Sequence, residues 1–364
     1  MPFSLTPQQL EFRDTVRAVL AKECTPADVR TAYQSPSWRT PRWSTLTELG
    51  VVGMAVPEDH GGLGLGMVDM VVVLEEAGRV ALPEPLAATA AVCAPLLVDL
   101  EERDSNDDRW GTWLEGVATG HAAAAVGLGP EAEPVAAADG ATLYALGRPA
   151  DGPEAAIFLM AADDSAAPNE CTVEPVASLD PTRRLARVVP AVGVRPVATG
   201  QVAAELAGRT ARRAAVATAA ELVGLSDRLI TIGAEYARTR EQFGRPIGSF
   251  QAIKHLLAGA RVKLEFARPA VYAAAWSIDE DETDASRRAS AAKAQASEVA
   301  TEAARVALQV HGAIGYTWEC DLQLFLKRSW ALAAAWGSAA DHRRRVLDSL
   351  LAERMTTAQG TAKA

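Results

Sequence analysis

The sequence predicts an α+β chain in three parts: an all-helical N-terminal domain over residues 1–119, a small middle β-domain over 120–195, and a helical bundle over 196–364. Apolar residues recur at helical spacing on both flanks, which is the first observation behind that division. The second is a change at Gly120, after which short apolar runs alternate with Gly, Pro and Asp. The third is a return to long, alanine-rich helical patterns after Pro196. With 364 residues, 49% of them hydrophobic, the chain can bury a large core.

Thr6-Pro7 reads as cap and first turn of a helix over residues 6–22, with Leu10, Phe12, Val16, Val19 and Leu20 on one face. Thr25-Pro26 opens a second, short helix. Trp43, Leu46 and Leu49 face inward on a third, stopped by Gly50. The loop 57–66 needs its glycines for backbone freedom, and His60 within it reads as structural, with no base or metal ligand near it in sequence. Residues 67–80, ending in Glu75-Glu76-Ala77-Gly78, form a buried helix. Pro83 and Pro85 break the chain before helices at 87–100 and 108–118.

In the middle domain the strand-like runs are 122–128, 142–146, 155–160 and 186–189. Turn signals at Ala138-Asp139-Gly140 and Asp151-Gly152-Pro153 separate them. Helices are expected again at 209–237, 250–278, 285–310, 322–335 and 339–351. Pro269 predicts a kink in the second of these, the acidic run 279–282 a solvated loop, and the residues from Thr356 onward a frayed end. Alanine-rich seams allow close helix packing and large subunit contacts.

A net charge of −10 argues against a nucleic-acid partner. Cys24, Cys93, Cys171 and Cys320 are far apart and form no CxxC pair, so they read as reduced thiols, and no metal site is predicted. The opening MPFSLTPQQLEF carries no signal-type apolar core, and no apolar run approaches the roughly 20 residues of a membrane span. A soluble cytoplasmic protein is the expectation.

Residues 238–251, RTREQFGRPIGSFQ, lie between two long helical patterns. Gly244, Pro246 and Gly248 end one helix and aim the next, leaving Arg238, Arg240 and Phe243 beside a tight turn. An arginine fork next to an aromatic ring suits a diphosphate followed by a flat heterocycle. It equally suits a basic helix C-terminus that complements the macrodipole.

The pattern R-x-Q-F-G-x-P-I-x-x-F-Q in this stretch resembles the signature of the acyl-CoA dehydrogenase family. Two further blocks resemble that family in the same order: GVVGMAVPEDHGGLG at 50–64 and QVHGAIGY at 309–316. The resemblance implies an N-terminal helical domain, a middle β-domain and a C-terminal four-helix bundle. It also implies FAD as cofactor, an acyl-CoA substrate with a fatty, branched or steroid acyl group, and an electron-accepting flavoprotein. In the family the first signature contacts the pyrophosphate of an FAD held mainly by the neighbouring subunit. Carried over position by position, Arg240, Gln242, Phe243, Gln251, Gln309 and Gly312 become the candidate cofactor residues, and His311 lines the diphosphate region or is structural.

The departures from the family pattern are as informative. The segments that normally hold the flavin ring, T/S-E-P-x-x-G-S-D and W-I/V-T/S-N, have no recognisable equivalent in the short middle domain. The family removes a proton from the α-carbon of a thioester with a carboxylate while flavin takes a hydride from the β-carbon. A gapless reading from Gly315-Tyr316 places Trp336 at the position of that carboxylate. An indole N–H donates only and cannot take up a proton. The family's other base position falls near Ala214, and the nearest carboxylate, Glu221, is about two turns away, roughly 10 Å by helical rise. Asp341 and Glu319 fall on neither position and read as surface or capping acids. Ser338 and Ala340 stand where the family has Thr and Gln that help hold FAD.

No catalytic residue is therefore predicted in this chain. The pattern resembles the non-catalytic chain of actinobacterial heteromeric (α2β2) acyl-CoA dehydrogenases, which implies a related partner subunit. The alternatives are a homo-oligomeric enzyme with a base elsewhere and a flavin-free structural or binding subunit.

Overall fold

The computed structural model describes residues 4–34, 38–127, 135, 142–148, 154–161 and 170–361. Its first three helices, α1 (Pro7–Glu23), α2 (Pro26–Ala32) and α3 (Pro41–Glu48), each begin with a threonine cap followed by proline. Thr6 and Thr25 form reciprocal capping boxes with Gln9 and Asp28. Trp43 and Leu46 are buried on α3, and Gly50 ends its turn at φ +76°. Leu10, expected on the inner face of α1, is exposed. His60 finds a partner across the fold, its Nε2 lying 2.8 Å from Glu101 Oε1.

Helix α4 (Met67–Arg79) is buried along most of its length. Its first N–H groups, Met67 and Val68, donate to the Asp279 carboxylate at 2.7 and 2.8 Å. The acidic run 279–282 is thus not simply a solvated loop, since its first residue caps a helix in another domain. The helix expected at 87–100 is also different in kind. Ala87–Cys93 winds as a π-helix before α5 (Ala94–Glu101). Pro95 has no N–H to offer the Ala91 carbonyl, and Ala94 N–H reaches instead to Thr89 O, which widens the turn. Helix α6 (Arg109–Ala118) completes the N-terminal domain.

Among the described residues the middle domain has six strands: β1 (Ala124–Gly127), β2 (Leu143–Arg148), β3 (Ala156–Ala161), β4 (Cys171–Pro175), β5 (Ala186–Pro190) and β6 (Ala198–Thr199). One sheet runs β1-β2-β3-β6, with only β1 and β2 parallel, and β4 pairs with β5. Strand β4 lies outside the four expected runs, and β6 joins the sheet past residue 195. Alternation along the strands divides their side chains between two cores. Ala124, Leu143, Ala145, Ile157 and Leu159 join the main core, while Ala125, Tyr144, Met160, Ala186 and Val188 form a small second one. The turn signals at 138–140 and 151–153, and Leu128 at the end of the first run, lie outside the described residues.

The bundle consists of α7 (Gly200–Thr239), α8 (Gln251–Asp279), α9 (Ala285–His311) and α10 (Leu322–Ala334), with α11 (Ala339–Thr361) packed on α9. Helix α8 continues through Pro269 without interruption. Helix α11 runs past Thr356 to Thr361, and residues 362–364 lie outside the described residues. Helices α4 and α7 cross so closely that a Cβ on Gly224 would lie 1.9 Å from Glu75 O, and one on Gly78 2.1 Å from Glu221 O. These glycines are needed for backbone contact, not for a turn.

Around that crossing sits an ion network whose carboxylates are buried. Arg79 and Arg261 both hold the Asp227 carboxylate, which is 3% exposed. Arg268 Nε donates to Glu75 Oε1 at 2.9 Å, Tyr272 OH donates to Glu75 Oε2 at 2.7 Å, and Arg17 donates twice to Glu76 at 2.7 and 2.8 Å. No helix among the described residues is long and apolar enough to cross a membrane.

Candidate functional site

Helices α7 and α9 end side by side, because Tyr236 stacks on His311 with ring centroids 4.3 Å apart. The 238–251 and 309–316 blocks therefore leave the same end of the bundle. His311 is buried, and its Nδ1 lies 2.8 Å from Ala307 O, so that nitrogen carries the proton and donates. Burial holds its pKa below the ordinary histidine value. The residue is packed as structure and does not face solvent.

All six candidate cofactor residues lie on the surface around this end. Arg240 caps α7, and its guanidinium has no ion pair or side-chain hydrogen bond among the described residues. Gln251 and Gln309 are likewise without side-chain partners there, while Gln242 donates to Glu241 O at 2.8 Å. Phe243 and Gly244 are the central residues of a hairpin between β7 (Glu241–Gln242) and β8 (Arg245–Pro246), at φ +54° and +75°. Such a turn requires positive φ at both positions. A phenylalanine held there, 91% exposed, is strained without any burial to offset the strain. Gly312, at φ +64°, opens onto free space, with nothing within 4 Å of a Cβ built on it. Free guanidinium, free amides, an uncovered ring and an open glycine cradle fit a phosphate-bearing aromatic cofactor approaching from outside the chain.

The other half of the site is the turn after α10. Trp336 and Gly337 take φ +60° and +106°. Two groups that sequence reasoning missed hold the turn. Lys293, 0% exposed on α9, donates from Nζ to Ser297 Oγ at 2.9 Å, Ala333 O at 3.1 Å and Gly337 O at 3.3 Å. His342 Nε2 donates to Trp336 O at 3.1 Å. Burial lowers the Lys293 pKa to about 7, with the Arg183 charge adding to the effect. The spacing of Lys293 from Ala289, Ala296 and Ser297 places it on the inward stripe of α9, which was the available signal. Beside the turn, Ser297, Glu298, Trp330 and Ser338 line a groove of about 640 Å³. Ser338 also caps α11, its Oγ accepting from Asp341 N at 3.3 Å while the Asp341 carboxylate accepts in return, so Asp341 is a capping acid. Glu319 is exposed, and Ala340 lies in the first turn of α11.

Lys293 carries a pH prediction. Its folded-state pKa lies below its ordinary value of 10.5, so between about 7 and 10.5 the unfolded chain binds more protons. Stability from this group therefore rises with pH across that window, by up to about 1.4 kcal/mol per pH unit. Urea unfolding of the wild type and Lys293→Met from about pH 7.5 to 9 should show the wild type gaining stability relative to the variant as pH rises. Parallel curves would show that the ammonium is not held at this cost.

Glu221 lies at the junction of all three domains. Arg328 there holds Asp180 and Thr182 and donates to Leu82 O at 2.9 Å, and Arg183 donates to Ala331 O at 3.2 Å. Burial raises the Glu221 pKa to about 7 against the opposing pull of Arg328 and Arg183. Its carboxylate makes no hydrogen bond among the described residues. Ala214 is buried on the same helix.

Known proteins resemble this arrangement over most of its length. The profile of the acyl-CoA dehydrogenase N-terminal domain matches residues 6–121, and that of the C-terminal domain matches 202–351. Acyl-CoA dehydrogenase IpdE2 of Mycolicibacterium smegmatis is 34% identical over 345 residues, which is 92% of this chain and 96% of that protein. Among solved structures, a variant of the Tcur3481-Tcur3483 steroid ACAD is 26% identical with a TM-score of 0.80, covering 96% of this chain and 99% of its own. The ChsE4-ChsE5 complex from Mycobacterium tuberculosis contains a chain 24% identical with a TM-score of 0.78, at 96% and 99% coverage.

Proposed function

The chain belongs to the acyl-CoA dehydrogenase family of FAD-dependent oxidoreductases, and from that premise we propose that it is the subunit lacking the catalytic carboxylate in a two-chain enzyme. The reaction is α,β-dehydrogenation of an acyl-CoA thioester, with electrons passed on to a flavoprotein. One observation supports this reading: the residues suited to a phosphate-bearing cofactor all face outward. It goes with the sequence reading that puts Trp336 where the family has its carboxylate. Abstraction of the weakly acidic α-proton needs a carboxylate in a water-poor pocket. Trp336 supplies a donor only. FAD, with its ring in the partner chain, supplies the hydride acceptor. In this chain Arg240 binds phosphate, Phe243 covers apolar cofactor surface, and Gly312 admits a close backbone approach. The pair-named steroid ACAD at 26% identity supports an assembly of two different chains.

Glu221 favours a second reading, a homo-oligomer with its own base. Its pKa of about 7 suits proton abstraction near neutral pH, and its α7 position is two turns from the family's other base site.

Flavin content separates the readings. Purified alone, the chain should be colourless, and co-expression with a related family chain should give a yellow complex. Trp336→Glu in the isolated chain should then yield no family-level acyl-CoA turnover. A yellow, active isolated chain whose turnover disappears in Glu221→Gln would establish the second reading instead. A chain that stays colourless in every combination would be a flavin-free structural subunit.

A further inference from the structure

Side chains, more than backbone, take up the carbonyls where α10 ends. Ala335 N–H returns to Leu332 O at 3.2 Å, but Ala331 O accepts from Arg183, and Ala333 O and Gly337 O both accept from Lys293. Trp336 O accepts from His342 Nε2. Three elements thus close on one turn: the loop before β5, α9 and α11. Every group they send is a base. No carboxylate is among the groups whose charge bears on Lys293, and Arg183 opposes a proton there. Around His342 stand Arg345 and Asp341 of α11, and Asp341 is engaged in capping. The acids of α9 that line the groove are taken, Glu298 by Arg343 of α11 and Glu302 by Lys263 of α8, while Glu221 of α7 faces Arg328 and Arg183. A fully buried ammonium without an acid is costly. A neutral amine fits the same place better. It has two N–H groups for Ala333 O and Gly337 O and one lone pair for Ser297 Oγ, a hydroxyl that can donate and makes no other hydrogen bond among the described residues.

We propose that Lys293 is a proton-operated latch on the turn that carries Trp336: its neutral amine holds the turn closed, and uptake of a proton loosens it. The latch does not depend on which chain holds the flavin. In the closed turn the Lys293 pKa is about 7, and in water its ordinary value is 10.5. Opening that lets water reach the ammonium is therefore favoured as pH falls through that window, by up to about tenfold per pH unit, and the effect levels off below about 7. Two features make the turn ready to move. Trp336 is held at φ +60°, and opening relieves that strain. Ser297 and Ala333, which partner the amine, also line the groove of about 640 Å³, so water has a short way in. Acid thus loosens the half of the candidate site that lies after α10.

The test follows the full-length chain, labelled with fluorotryptophan, by fluorine NMR from about pH 9 to about pH 6. The Trp336 resonance is assigned by its loss in Trp336→Phe. In the wild type it should move as pH falls, toward its position in Lys293→Met, which takes both N–H donors from the turn. Lys293→Gln offers two donors and an acceptor but no titration. Its Trp336 resonance should stay, at every pH, near the wild-type position at about pH 9. If Lys293→Met does not fold, the wild type and Lys293→Gln decide the matter without it. His342, pushed down to about 4, stays neutral throughout. Glu221, raised to about 7, titrates in this range, so the wild-type movement must persist in Glu221→Gln. The latch is overturned by a Trp336 resonance that stays fixed, that moves equally in Lys293→Gln, that moves away from its Lys293→Met position, or that stops moving in Glu221→Gln.

Discussion

Asp227→Ala should lower stability by about 3 kcal/mol, toward the bottom of the range for removing one partner of a buried ion pair. Asp227 is 3% exposed and receives Arg79 from α4 and Arg261 from α8, with Arg268 Nη2 at 3.9 Å. Removing it leaves guanidinium charge at the crossing of the N-terminal domain with the bundle. The loss is kept to the lower end because Arg79 retains Glu76 at 3.3 Å, Arg268 retains Glu75 at 2.9 Å, and Arg261 retains Glu265 at 2.8 Å. Asp227→Asn should cost nearly as much, since the amide keeps the shape but not the charge. Raising salt should change the effect little, because the carboxylate is buried. Urea unfolding measures it, and a loss below about 1 kcal/mol would show that the network is not holding the crossing.

Arg240→Ala should weaken FAD retention by about tenfold to a hundredfold in the two-chain complex. A hydrogen bond to a charged group contributes about 1.5–3 kcal/mol, and about 1.4 kcal/mol is a factor of ten. Arg240 has no partner of its own among the described residues, so its removal leaves no buried charge behind and disturbs no local packing. The loss therefore reports the cofactor contact and not damage to the fold. Released flavin is measured by fluorescence after dilution, with complex mass checked in parallel. Full retention in an intact complex would remove this chain from the cofactor site.

Local rules make much of the fold legible. Thr6-Pro7 and Thr25-Pro26 announce two helix starts because cap and first turn are encoded in adjacent residues, and Thr40-Pro41 repeats the signal at α3. Gly50 and the tight turn around Gly244 are visible for the same reason. What escapes depends on residues distant in sequence. Asp279 reads as one acid in a solvated run because its partners, Met67 and Val68, lie on a helix from the other end of the chain. Lys293 reads as an ordinary charge in an alanine-rich helix until Ala333 and Gly337 supply the carbonyls that hold it. Strand β6 is two residues long and becomes a strand only through its pairing with β3. At the candidate site, motif positions can be read from the sequence. That their side chains point outward, and that those of Arg240, Gln251 and Gln309 find no partner among the described residues, cannot, because both are properties of the whole fold.

The close crossing at Gly78 and Gly224 has a mechanical consequence. Two helices already in backbone contact have no intervening side chains to compress or slide, so the crossing resists relative motion of the N-terminal domain and the bundle. Neither can be loosened alone, because parting α4 from α7 uncovers the acids and guanidinium groups that close around the crossing. The two domains should therefore unfold in one transition despite lying at opposite ends of the sequence, as urea unfolding followed by two probes would show. A load applied at the cofactor edge of the bundle is carried through α7 into the N-terminal helices, as through a single beam.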